Sequence, residues 1–157
     1  MSFNTIYIAD LDAITGFDYQ ASTWYTVCSK YPAIEFWLDI GKHVSCWENE
    51  FSHVRNLRPV LGTEAFQHSQ QIITLLDQLR KNDPIISLDF HQQELLGPGD
   101  FIQQCTHWTN DIIALKLDHI GHQDGTDFEF YRQLLLDLPD ASAIHMGGGV
   151  RNIDDLK

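Results

Sequence analysis

The chain has 157 residues, 43% hydrophobic and 20% charged, a balance that suits one folded domain with its own core and excludes a disordered or low-complexity polymer. Ten basic against twenty-two acidic side chains leave a formal charge of −12, which opposes unspecific attraction to nucleic-acid backbones and anionic lipid surfaces. The expected partner is a small molecule, neither nucleic acid nor membrane, and a phosphorylated one stays open because a few backbone N–H groups hold one phosphate whatever the net charge.

Met1-Ser2-Phe3-Asn4 has neither the basic nor the apolar region of a secretion signal, and no apolar run approaches the ~20 residues that cross a bilayer, so a cytoplasmic setting is expected. Six short runs rich in β-branched and aromatic residues then follow in order. They are Thr5-Ile-Tyr-Ile-Ala9, Ile34-Glu-Phe-Trp-Leu38, Arg58-Pro-Val-Leu61, Ile85-Ile-Ser-Leu88, Ile112-Ile-Ala-Leu-Lys-Leu117 and Ala143-Ile-His-Met146. Apolar residues on both faces of such short runs predict strands buried on both sides of a parallel sheet. Amphipathic stretches at about 18–30, 47–54, 65–81, 100–108 and 127–137 predict helices between them, with another opening near Ile153. The runs open 24 to 31 residues apart, the length of one βα unit each time, so the expectation is an all-parallel α/β sheet with right-handed crossovers. A full (β/α)₈ barrel takes about 250 residues, which makes this chain roughly two units short of one; an open doubly wound sheet is the other arrangement of six units. Gly97-Pro98-Gly99-Asp100 is expected as a βα loop with Asp100 as the N-cap of the next helix.

Cys28, Cys46 and Cys105 are odd in number and lack metal-ligand spacing, so buried free thiols are expected in place of disulfides or structural zinc. Trp24, Trp37, Trp47 and Trp108 fall on predicted helices or inside a strand and are expected to pack in the core.

Parallel α/β folds carry their chemistry at the carboxyl ends of the strands, where successive loops converge. There the sequence sets Asp10-Leu-Asp12, Asp39-Ile-Gly-Lys-His43, Gly62-Thr-Glu64, Asp89-Phe-His91, Asp118-His-Ile-Gly-His122 and Gly147-Gly-Gly149. Three glycines followed by a helix start are what a phosphate cradle needs, because backbone N–H groups and the helix dipole then face the anion. Gly62-Thr63 repeats that design, its hydroxyl free to cap the predicted helix from Glu64 or to donate to a ligand. Asp89, ending a buried strand, is the candidate for proton transfer. Asp10 and Asp12 alternate, so one of them faces the functional side. His119 and His122 with His43, His91 and Asp118 would need three loops to converge on a metal, and no metal or other cofactor is expected.

Four segments in this order, Ile6-Tyr-Ile-Ala-Asp-Leu-Asp-Ala-Ile-Thr-Gly16, Val60-Leu-Gly-Thr-Glu-Ala65, Ile86-Ser-Leu-Asp89 and Met146-Gly-Gly-Gly-Val-Arg-Asn-Ile-Asp-Asp-Leu156, resemble the histidine-biosynthesis (β/α)₈ barrels, the phosphoribosylformimino-aminoimidazole-carboxamide ribotide isomerase and its cyclase relative. The resemblance implies a partial TIM barrel spanning residues 1–157 as one incomplete domain, with the family's strands two to seven. Phe36-Trp-Leu-Asp-Ile-Gly-Lys-His43 stands where Ala143-Ile-His-Met-Gly-Gly-Gly-Val150 stands half a barrel later, a trace of the family's internal duplication. It implies that Gly147, Gly148 and Gly149 hold one phosphate of a sugar-type metabolite and Gly62 and Thr63 the other, with Gly121 beside them. Asp89 is implied as acid/base in an Amadori-type rearrangement of an aminoaldose to an aminoketose, with Asp10 as a second catalytic candidate and Asp12 and His91 as substrate contacts. The family's first-strand aspartate and eighth strand have no counterpart in this sequence. Leu115 stands where the family has Thr, and His119-Ile120 where it has Arg-Asp. These departures imply a divergent branch, either catalytic, or a silent phosphate-metabolite-binding barrel, or a relative serving one-carbon cofactor metabolism. Open sheet edges additionally predict pairing between copies of the chain.

Overall fold

The computed structural model describes residues 3–105, 109–119, 125–138 and 143–147. Strand β1 (Thr5–Ala9) pairs with β2 (Glu35–Asp39), β2 with β3 (Leu57–Gly62), and β3 with β4 (Ile85–His91), all parallel. The two-residue β5 (Glu94–Leu95) folds back antiparallel on β4, while β6 (Asp111–Lys116) and then β7 (Ala143–Gly147) continue the parallel sheet. The six principal strands thus bear out the parallel reading, and β5 is the departure from strict alternation. Its hairpin turns on Gln92 (φ 49°) and Gln93 (φ 70°), both left-handed, the geometry of a tight two-residue turn. Glutamine is a poor signal for that conformation, so nothing in the sequence announced it.

A one-turn helix α1 (Leu11–Ile14) follows β1 outside the predicted intervals, whereas α2 (Ala21–Lys30), α3 (Trp47–Glu50), α4 (Ser69–Gln78), α5 (Phe101–Gln104) and α6 (Phe128–Asp137) fall in them but are shorter. Helix α4 starts at Ser69, five residues beyond the expected Glu64, because Thr63–Ala65 close a separate 3₁₀ turn through Phe66 N–H to the Thr63 carbonyl at 3.2 Å. The Gln71 side chain takes the start of α4 in hand instead, accepting from the His68 N–H at 3.1 Å. Asp100 does occupy the N-cap of α5, yet its carboxylate accepts from Ser69 and Gln104, both at 2.5 Å. The helix expected from Ile153 lies outside the described residues. Cys28 and Cys105 are buried as expected, whereas Cys46 is exposed.

The helices all pack on one side. Phe36 and Leu38 of β2, Leu61 of β3, Ile86 and Leu88 of β4 and Ile112 of β6 share a core with Cys28, Trp47, Ile72, Phe101 and Leu134 from the helical layer. Burying each such aliphatic side chain contributes roughly 1.5–3 kcal/mol. The alternate strand positions form a second cluster made of strand residues alone, Trp37, Val60, Ile85 and Ile113 with Tyr7 and Leu115. A doubly wound sheet has helices on both faces and a reversal in strand order; among the described residues this sheet has neither.

It curls instead. Trp37 of β2 meets His145 of β7 edge to face at 4.7 Å although three strands separate them, and Arg58 of β3 bonds Asp111 of β6 at 2.8 Å across β4. The result is a half-barrel with helices outside and a concave inner face lined by alternate residues.

Candidate active site

Three tiers of side chains line the concave face, following the period of two along each strand. The amino-terminal tier is ionic: Arg58, 8% exposed, reaches Glu35 at 3.3 Å, Asp83 at 2.9 Å and Asp111 at 2.8 Å, and His145 holds the other Asp111 oxygen at 2.9 Å. Trp37, Val60, Ile85 and Ile113 form an apolar middle tier. The carboxyl-terminal tier holds Asp39 of β2, Ser87 and Asp89 of β4, Gly62 at the end of β3 and Gly147 at the end of β7. Glu64 joins it from the 3₁₀ turn after β3. Its carboxyl folds back over Gly62 so closely that a Cβ there would overlap Oε1, 2.6 Å away.

Each acid has its own environment. Asp39 is 3% exposed; its Oδ1 accepts the Gly41 N–H at 2.9 Å and its Oδ2 the Tyr7 hydroxyl at 3.5 Å. Burial pushes its carboxyl up to about 6, with the charge of Asp89 adding to the rise and the bonds from Gly41 and Tyr7 opposing it. Asp89 accepts from the Ser87 hydroxyl at 2.8 Å, and burial raises its pKa against that bond. Glu64 is pushed up to about 7, first by burial and then by the charges of Asp89 and Asp39. Tyr7 is held in its neutral form by burial and by the same three carboxylates.

Three carboxyls in one low-dielectric neighbourhood oppose one another's ionisation, so a protonated Glu64 and an ionised carboxylate coexist near neutrality. That provides an acid and a base at one place, the requirement of general acid/base chemistry.

No protein-family model matches the chain, and no curated protein matches it. The chemistry of the site is therefore carried by its own atoms.

A cavity of about 490 Å³ opens beside Glu64, walled by Thr15 and Gly16 after α1, by Lys42 and His43 after β2, and by Ala65. Gly41 shapes this wall: its φ is +54°, and a Cβ would sit 3.1 Å from the Ile14 backbone. A further groove of about 540 Å³ lies on the helical side, among Phe90, Leu95, Ile102 and Phe130, away from the carboxylates.

Of the candidates drawn from the sequence, the structure brings Asp89 and Gly62 into this tier. Asp10 stands elsewhere: it caps α1, accepting from the Ala13 N–H at 3.2 Å and from the Trp24 indole at 3.3 Å. Asp12 is exposed in the first turn of α1, so neither aspartate of that pair faces the concave side. His91 is exposed at the far end of β4, opposite Glu94. Thr63 is fully buried, caps no α-helix, and its hydroxyl has no hydrogen-bond partner. Gly147 ends β7 against Leu115, whose side chain fills the space a Cβ would need, and its carbonyl accepts the Tyr131 hydroxyl at 2.8 Å. Gly121, Gly148 and Gly149 lie outside the described residues. Among the described residues no three His, Cys, Asp or Glu side chains group to hold a metal ion, and no helix is long and apolar enough to cross a membrane.

Tyr7, Asp39 and Glu64 are functional candidates that no local sequence signal marks out. Asp39 and Glu64 were visible at strand ends, but only the alternation of Glu35, Trp37 and Asp39 against the buried Phe36 and Leu38 shows which side Asp39 takes.

Proposed function

We propose that this chain catalyses proton transfer on a small phosphorylated sugar-type metabolite, as an aldose-ketose isomerase of the Amadori type. The observation that carries this reading is the convergence of Asp39, Glu64 and Asp89 at the carboxyl ends of three successive strands of the parallel sheet, each with its carboxyl pKa raised. Such a rearrangement asks for little else. Protonation of the ring oxygen opens an aldosylamine to its iminium form, removal of the C2 proton gives an enaminol, and return of a proton at C1 with loss of the 2-hydroxyl proton leaves the aminoketose. No atom is gained or lost, and a protonated and an ionised carboxyl in one site supply both roles. Phosphate anchoring falls to Lys42 and His43, which line the same cavity as Glu64, with the Gly147 turn that the resemblance implies; the Gly62-Thr63 turn is filled by the Glu64 carboxyl and the buried Thr63.

The test is turnover of a panel of 5-phosphorylated aldosylamines, read by NMR as the appearance of aminoketose. The wild-type chain is expected to convert at least one, and Asp89→Asn to lose at least about 100-fold in kcat with its KM little changed. Failure of the wild-type chain on the whole panel, or an Asp89→Asn variant as fast as wild type, contradicts the assignment.

A further inference from the structure

We propose that Glu64 is the acid that meets the substrate, donating from its carboxyl into the cavity enclosed by the loops after β1, β2 and β3, while Asp39 and Asp89 act on it from behind. This rests on the acid/base reading above and names the group through which the cluster reaches its ligand.

Three observations single out Glu64. Its Oε2 is shut off from solvent and has no hydrogen-bond partner among the described residues, an arrangement that costs roughly 1–3 kcal/mol unless a proton completes it. By contrast, both oxygens of Asp39 are engaged, by Gly41 and by Tyr7, and Asp89 is tied through Oδ1 to Ser87. Of the three carboxyls, Glu64 is the one that lines the cavity of about 490 Å³, within the range of small-ligand sites.

The turn that presents Glu64 is fixed on both sides. Gly62 leaves open the space into which the carboxyl folds, and Gly97 (φ +100°) presses its backbone against the Thr63 carbonyl, allowing no side chain there. The charged and titratable groups facing Glu64 are Asp89 on β4, Asp39 and Tyr7 on β2 and β1, and Lys42 and His43 across the cavity. The first two keep its proton on; the last two suit an anionic substituent at the other end of the ligand. The substrate class is thus a small molecule with a protonatable oxygen at one end and an anionic group at the other.

The experiment compares pH profiles of turnover for wild type, Glu64→Gln and Glu64→Asp, using the phosphorylated aldosylamine that the wild-type chain converts, with circular dichroism confirming each fold. Wild-type kcat is expected to fall as pH rises through about 7, where Glu64 loses its proton. Glu64→Gln should lose about 100-fold in kcat together with that alkaline limb, and Glu64→Asp should recover part of the rate. If Glu64→Gln keeps the wild-type rate and alkaline limb while Asp89→Asn is inactive, the role given to Glu64 is overturned and the isomerase reading stands. If the wild-type chain converts no member of the panel, the isomerase reading falls and takes this role with it.

Discussion

Trp37 on β2 and His145 on β7 touch edge to face, their ring centroids 4.7 Å apart at 79°, across the hollow of a sheet in which β3, β4 and β6 lie between them. That contact, and the Arg58 guanidinium stacked 5.4 Å over the same indole, tie the two halves of the sheet together beneath the carboxylates. Arg58 pairs with Glu35, Asp83 and Asp111 at once, and removing it leaves the half-buried Asp111 with His145 as its remaining partner. Arg58→Met is expected to cost about 3–5 kcal/mol, seen as a lower urea midpoint. Arg58→Lys should recover only part of this, because one ammonium cannot replace a planar fork that bonds three partners.

Gly62 and Gly97 make a paired test of the turn that carries Glu64. A methyl at Gly62 meets first the end of the flexible Glu64 side chain, so Gly62→Ala should leave the urea midpoint nearly unchanged while swinging the carboxyl out of the tier and lowering turnover at least tenfold. At Gly97 the methyl would run into the Thr63 carbonyl, and the backbone has φ +100°, so Gly97→Ala should destabilise by about 1–3 kcal/mol.

The carboxylates also set how stability depends on pH. Glu64 has its pKa raised in the fold, from 4.5 to about 7, so between those values the unfolded chain sheds this proton first and stability declines as pH rises. Glu64→Gln removes that decline: its melting temperature should exceed wild type by more at pH 8 than at pH 4.5. Asp111 has the opposite sign. Burial alone would raise its carboxyl, but the bonds from His145 and Arg58 outweigh that and lower it, so the stability it adds is present above about pH 4 and lost on further acidification. Asp111→Asn should therefore flatten the acid limb of a stability profile measured between pH 2 and 5.

Asp10 serves the helical layer. With its carboxylate capping α1 and accepting the Trp24 indole N–H, Asp10→Ala is expected to cost about 1–2 kcal/mol of unfolding free energy and to leave kcat unchanged.

The strands were legible because burial on both faces leaves unbroken apolar runs such as Ile85-Ile-Ser-Leu88, and their regular spacing pointed to parallel pairing. Which face each residue takes was not, since a two-sided apolar run hides the alternation that a half-exposed strand displays. Only the packing shows Arg58 and Trp37 on the inner side and Leu57 and Phe36 under the helices. Asp89 was identifiable as the polar end of a buried strand. Thr63-Glu64 has the chemistry of a helix N-terminus, whereas the 3₁₀ turn that contains them packs against Gly97, more than thirty residues later, a contact no local pattern announces. Asp10 misled for the converse reason: an aspartate after a strand suits a cap and a catalytic group equally well, and the indole of Trp24 that engages it is a tertiary neighbour.

Carboxyl ¹³C NMR titration of Asp39, Glu64 and Asp89, in wild type and in Asp89→Asn, measures the coupling of these three groups directly. Midpoints of about 6 for Asp39 and about 7 for Glu64, both falling when Asp89 loses its charge, are the predicted result. Midpoints near 4 for both, unmoved by Asp89→Asn, would contradict the shared site.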